Sequence, residues 1–386
     1  MHTAASPAPA RPARAPGAAS EVPQTAVPFR FEETDGFAAL LRQLGVCLLV
    51  TTYQANKLLV VRERLGSLSI LVRSFERPMG VAAGGGRIAL GTRDQVWQFR
   101  DAPDVAPRVE PAGAHDACFL PRSSHVTGDI AVHELAWGGT RAAELWVVNT
   151  RFSCLCTVDG DYSFVPRWRP PFVTALAAED RCHLNGVAMV AGRPRFVTAL
   201  GETDTPRGWR GVKAGGGCVM DVPGGRVVAR GLSMPHSPRW HGGGLWVLES
   251  GTGRLLLLDP AGSVTRVICG LPGFARGLTF VGHYAFVGLS KIRATSAMDG
   301  VPLAERRSDL KCGVAVVDLR RGEVCEMLEF QTAVEEIFDV QPLAGPRFPD
   351  VMGFQKETLQ HTFIVPPEGQ PAAPAAVPPF GSRLIG

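Results

Sequence analysis

The segment Ser237–Leu271, SPRWHGGGLWVLESGTGRLLLLDPAGSVTRVICGL, holds four short β-type runs. They are SPRW, LWVLES, RLLLLD and VTRVICG, and Gly, Pro and Ser residues mark turns between them. The unit recurs along the chain. GLTFVGHYAFVGLS with CGVAVVDLRRGEVCEMLEF is a second copy, and NGVAMVAGRPRFVTALG with GGCVMDVPGGRVVARGL a third. HELAWGG, ELWVVNTR, CLCTVDG and SFVPRW make a fourth, and MGVAAGGGRIALGTRDQVWQFRD a fifth. A sixth copy is divided between the ends. CLLVTTYQANKLLVVRERLGSLSILVRSF supplies three strands with no first strand, and the run from Glu336, EIFDVQ, starts a unit that is not completed. Joining the two closes a ring and removes its sheet edges. The repeats predict an all-β fold, a six-bladed β-propeller closed by N- and C-terminal strands.

Composition agrees with one large β domain. Of 386 residues, 45% are apolar and 20% charged, enough to bury a core. The 44 Gly and 31 Pro suit many turns and short strands rather than long helices. Net charge is only +4, which points to no nucleic acid and no membrane surface as partner. No apolar run reaches the roughly 18 residues of a bilayer span. Residues 1–27 are Ala/Pro-rich with scattered Arg and read as a disordered tail without a secretory signal. Residues 366–386 read as a second Pro/Ala-rich disordered tail, leaving 28–365 for a single propeller domain. Nine Cys without an export signal suggest free thiols and a cytoplasmic location. Cys154 and Cys156 are two apart, which fits packing on one strand face rather than a CxxC redox pair.

Innermost strands line a propeller's axis, so the residue opening each one belongs to a converging column. That column is Met79, His133, Asn185, His236, Arg276 and Glu336, or Glu335 if the last strand starts one residue earlier. Successive spacings of 54, 52, 51, 40 and 60 residues lie near or above the roughly 40–50 of such repeats. Two imidazoles, an amide oxygen and a carboxylate are ligands for a divalent metal, with Fe, Zn, Mn or Ca all open. The expected metal set is therefore His133, Asn185, His236 and Glu336. His183 and Glu249 are general acid/base candidates beside it, and Arg276 would hold an anionic substrate group bidentately. The bland reading is that these groups are solvated or bonded to one another in a wet channel. Asn185 also suits an Asn-Gly turn, and His241 reads as structural. The loop Gly201–Gly217, long for a connection between blade strands, would cover the channel mouth. No GxxxxGK[ST], GxSxG, HExxH or paired CxxC motif is present.

The phrases SHVTGDIAVHELAWGG, DRCHLNGVAMVAGRPRFVTALGETDTPRGW, GLSMPHSPRWHGGGLWVLESGTG and VEEIFDVQPL resemble a bacterial conserved hypothetical family, a domain of unknown function, over about residues 35–355. That resemblance implies one globular unit and carries no activity. LNGVAM also resembles, more distantly, the Asn-Gly strand opening of the regucalcin/gluconolactonase-like six-bladed propellers. In that class the Asn binds an axial metal, which would place Asn185 and Glu336 as ligands. His133 and His236 depart from the class, whose ligands are Asn and Asp oxygens, and imidazoles favour a transition metal instead. The leading expectation is a metal-dependent enzyme, hydrolase or oxygenase in type, acting on a small-molecule or peptide substrate at the channel mouth. The alternatives are a non-catalytic scaffold for a protein partner, with exposed Trp168 and Trp209, and a small-metabolite sensor.

Overall fold

A computed structural model describes residues 28–139, 144–294, 297–354 and 357–365. The expected tails, 1–27 and 366–386, lie outside the described residues, apart from which the chain forms the six-bladed propeller that the repeats predict.

Each blade is a four-stranded antiparallel meander with its innermost strand at the axis. In blade 1 the innermost strand, Asp339–Ala344, comes from the far end of the chain. It pairs with Val46–Thr52, which is followed by Lys57–Arg64 and Ser67–Ser74. The inner strands of blades 2 to 6 are Val81–Gly84, Val132–Gly138, Leu184–Val190, Pro235–His241 and Phe274–Val281. Two outer edges gain a fifth strand. Phe31–Glu33 adds antiparallel to Glu323–Phe330 of blade 6, and Asp350–Val351 adds parallel to Cys118–Val126 of blade 2. Added strands of this kind cover the row of unpaired backbone groups that an edge would expose.

The core is spread over the layers between blades, which explains the sequence pattern. Along Val46–Thr52 every residue is buried. Leu48 and Val50 face blade 6, packing with Phe286, Val314 and Val316, whereas Cys47 and Leu49 face blade 2, packing with Val81, Ile88 and Leu90. A strand covered on both faces reads as a continuous apolar run rather than an alternating one. The helix Phe37–Leu44 adds Phe37, Leu40 and Leu41 to the layer between blades 6 and 1. It ends at Gly45, whose positive φ of 64° allows its N–H to cap the Arg42 and Leu41 carbonyls.

All nine cysteines are free, seven of them buried. Burial pushes the thiols of Cys47 and Cys182 up to about 12, so they are inert packing groups. Among the described residues no helix is long and apolar enough to cross a membrane.

Candidate functional site

A two-residue unit repeats where each blade meets the axis. Read round the ring from blade 1, it is Phe338-Asp339, Met79-Gly80, His133-Glu134, Asn185-Gly186, His236-Ser237 and Arg276-Gly277. Odd-numbered blades carry a polar side chain at the second position and even-numbered blades carry glycine. The structure shows why. Glu134 Oε2 accepts from Val187 N–H at 2.8 Å, Ser237 Oγ from Gly277 N–H at 3.0 Å, and Asp339 Oδ2 from Val81 N–H at 3.0 Å. Each odd blade thus ties itself to the inner strand of the next even one. The glycines make room for that approach. A Cβ on Gly80 would stand 2.8 Å from the His133 carbonyl oxygen, and one on Gly277, at a φ of +72°, would fall on the backbone of Asp339 and Val340.

In every blade but the second, the first position of the unit turns into the axial pocket. His133, Asn185, His236, Arg276 and Phe338 line one pocket, with Glu134, Ser237 and Asp339 completing its wall. Neighbouring residues on a regular strand would face opposite ways. Register shifts fall at these units: residues 133–134 oppose Val148 alone, and residues 237–238 oppose Val247 alone. Such bulges re-aim side chains beside functional sites, and they bring His133 with Glu134, and His236 with Ser237, to the same pocket. Its free volume is about 10 Å³, on a scale where one water needs roughly 10–15 Å³.

The two imidazoles are held alike. His133 Nδ1 lies 3.2 Å from the Ala131 carbonyl oxygen and 2.8 Å from Thr150 Oγ1, whose hydroxyl donates to the Leu184 carbonyl. His236 Nδ1 lies 2.9 Å from the Met234 carbonyl oxygen and 3.0 Å from Ser250 Oγ, whose hydroxyl donates to the Ala275 carbonyl. A carbonyl only accepts, so both Nδ1 atoms carry the proton and both Nε2 atoms keep a lone pair. Among the described residues neither Nε2 has a hydrogen-bond partner, and that of His236 is fully buried. Burial, and then the neighbouring positive or protonatable groups His183 and Arg276, hold His133 well below the usual imidazole range. Burial and Arg276 do the same to His236. Both rings are neutral at physiological pH.

Arg276 is the outlier of the pocket. The residue is 8% exposed, and its guanidinium carbon lies 5.3 Å from the ring centres of both Phe274 and Phe338. Among the described residues it has no carboxylate partner, and its Nε has no acceptor. Burial pulls it down to about 10, which still leaves it charged at pH 7. The acids in the wall are occupied elsewhere. Glu134 pairs with Arg239 as well as Val187 N–H, and burial outweighs that arginine to push its carboxyl up to about 7. Asp339 accepts from the backbone of Val81 and Val340 and from Gln341, and burial raises it too.

Over the mouth stands His183. Its Nδ1 contacts both oxygens of Asp180, at 2.9 and 3.0 Å, and its ring meets His133 edge-on at 4.7 Å. Asp180 and His183 both adopt left-handed backbone, with φ of 50° and 51°, a conformation that costs a non-glycine residue energy and recurs at functional sites. The loop Gly201–Gly217 reaches this point. Trp209 is buried there, 4.3 Å from the His183 ring, and donates from Nε1 to Asp180 Oδ2 at 3.0 Å. Trp209 packs with Met234, Phe274, Ile292, Leu303 and Leu310 into an apolar cap of mouth loops.

Four of the seven expected site residues, His133, Asn185, His236 and Arg276, converge in the pocket, and His183 stands at its mouth. Two do not. Glu336 is buried outside the pocket, where Arg293 and Tyr53 hold its carboxylate. The segment before Asp339 is irregular rather than strand, so the column position in blade 1 is two residues later, at Phe338. Glu249 faces its own hairpin, where Arg254, Thr252 and the Ser233 N–H use both of its oxygens. Asn185 contributes little free capacity, since Thr198 donates to its oxygen and its amide donates to the Pro235 carbonyl. The expected four-ligand metal set is therefore not assembled. Among the described residues no group of three or more His, Cys, Asp and Glu is arranged to hold a metal ion. Trp209, expected to be exposed, is buried. The sequence reading missed Glu134, Ser237, Asp339 and Asp180, although the alternation MG, HE, NG, HS, RG, FD at the blade starts carries the first three.

Among solved structures the chain is similar to a chain of the nidogen/laminin complex, at 11% identity and a TM-score of 0.49, covering 78% of this chain and 99% of that one. It is similar to a protein of unknown function from Bacteroides caccae, at 10% identity and 0.47, over 78% and 99%. It is also similar to virginiamycin B lyase from Staphylococcus aureus, at 8% and 0.36, over 79% and 100%. Likeness at this level transfers no activity. No curated protein matches. A family model, Domain of unknown function (DUF4915), matches residues 35–352, and the chain belongs to that family.

Proposed function

We propose that the protein binds the anionic end of a small molecule in its axial pocket, with Arg276 as the charge partner. One observation carries this reading: among the described residues, a buried guanidinium to which no acid is paired, since the two acids of the pocket wall are bonded to other groups. Buried charges are ordinarily paired, because an uncompensated one costs several kcal/mol. A fold that retains one gains by pairing it with something from outside. Enzymatic turnover is the finer part of the proposal. Asp180 orients His183, which leaves its Nε2 for proton transfer beside the His133 ring. The closed space fits one water-sized group, so the rest of a ligand would enter from the mouth as Trp209 and its loop move aside.

Thermal unfolding of the full chain in chloride, formate and acetate tests the binding step. The expected result is a melting temperature that rises with anion concentration, and that does so for wild type and not for Arg276→Met. An anion response equal in the two proteins would remove Arg276 from the site. A second reading, a transition metal, is favoured by the two Nε2 lone pairs, which are the form of imidazole that ligates. Elemental analysis of protein purified without a His tag separates the readings. Stoichiometric metal lost in His133→Ala/His236→Ala would favour the metal.

A further inference from the structure

We infer that the anion is a 2-hydroxy carboxylate: a small acid with a neutral hydroxyl on the carbon beside the carboxylate. The inference rests on the anion-binding reading of the axial pocket and specifies its chemistry. Arg276 offers only donors, so it requires an acceptor, and its charge favours a carboxylate. The two imidazoles require the opposite. With Nδ1–H given to the Ala131 and Met234 carbonyls, His133 and His236 present only lone pairs at Nε2. A bare carboxylate would set its own lone pairs against theirs, and the buried His236 Nε2 would stay unpaired. Protonating the rings would remove the conflict, but it would set two further positive charges beside Arg276 in one small pocket.

The ligand therefore has to bring an acceptor to Arg276 and a donor to an imidazole, and because the pocket as it stands holds about one water-sized group, its mouth has to open to admit both. A carboxylate with a hydroxyl on the adjacent carbon does this in consecutive atoms. An ammonium in the same place would donate too, but its charge would face Arg276, so the hydroxy acid is favoured over the amino acid. The hydroxyls of Thr150 and Ser250 make the readout rigid. Each donates to the next blade's carbonyl and so turns its oxygen towards the imidazole N–H, which fixes the tautomer. A single water would meet the same donor and acceptor pattern, and the test has to separate it from a ligand.

The experiment is calorimetric titration of the full chain with acetate, glycolate, methoxyacetate and glycine, beside Arg276→Met. Acetate and glycolate differ by one hydroxyl, and methoxyacetate keeps that oxygen without its proton. Glycolate should bind at least about tenfold tighter than the other three, since a site built to bond a hydroxyl rejects analogues lacking it. Arg276→Met should lose glycolate and acetate together. Imidazole ¹⁵N spectra of wild type supply a readout that needs no variant, in which glycolate shifts the Nε2 resonance of the one ring that takes its hydroxyl proton and acetate leaves both in place. Equal affinity for acetate and glycolate would overturn the hydroxy-acid inference while leaving the anion site intact. Tighter binding of glycine would overturn it in favour of an amino acid. Binding of none of the four would overturn both readings and leave a water in the pocket.

Discussion

Arg276→Met should make the protein more stable while abolishing anion binding. Burial takes the guanidinium from an ordinary value near 12.5 down to about 10. At about 1.36 kcal/mol per pH unit, the charged form costs the fold about 3 kcal/mol. A base whose folded pKa is lowered carries that cost at every pH below the folded value, and it is relieved only as pH rises from about 10 towards the unfolded value. The cost is therefore fully present at pH 7. Methionine keeps an aliphatic stem near Phe274 and Phe338 and gives up about 1 kcal/mol of packing. The expected net gain is about 2 kcal/mol. Urea unfolding at pH 7 in a buffer without small carboxylates reads it as a higher midpoint at unchanged slope. A loss of more than about 1 kcal/mol would show that Arg276 is already compensated in the folded protein. The argument for an anion would then fail at its first step.

Three further outcomes follow from the same geometry. NMR of the ring carbons should find His133 and His236 neutral at pH 5.5, where an ordinary imidazole is mostly charged; a midpoint at or above 6.5 would contradict the burial that holds them down. Glu134→Ala should cost about 3–5 kcal/mol in urea unfolding, because it strands Arg239 and the Val187 N–H together, and a loss under 1 kcal/mol would deny the inter-blade tie. Glu336→Gln should leave acetate affinity unchanged in the same titration, since Glu336 lies outside the pocket; a large loss would return it to the site.

The architecture was legible because each blade repeats the same order of strands and turns, and because Val46–Thr52 has no partner strand before it in sequence. The column was legible in four blades because His133, Asn185, His236 and Arg276 interrupt apolar strands at one point of the repeat. It failed in blade 1, where Gln331–Phe338 has no strand pattern to set the register and a glutamate drew the eye from Phe338. Glu249 misled for another reason. It ends a strand at the level of the pocket, but Arg254 five residues later captures it locally. The imidazole tautomers could not be read from His133 and His236 alone. They depend on Thr150 and Ser250, one strand away, and on carbonyls of the loops between blades. The bulges that turn two neighbouring residues to the axis are likewise properties of pairing, not of either strand by itself.

The strand that completes blade 1 sets a clock on the pocket. Asp339–Ala344 pairs with Val46–Thr52, so the first blade waits until every residue between those two strands has been made. At about 5–20 residues per second, that wait is on the order of tens of seconds during synthesis. Five blades can pair their strands locally in that time, but Phe338 and Asp339 arrive last. A nascent or truncated chain would thus hold His133, His236 and Arg276 in an open arc with no enclosed space between them. Competence to bind would be withheld from every incomplete copy and conferred in a single late step, when the ring shuts.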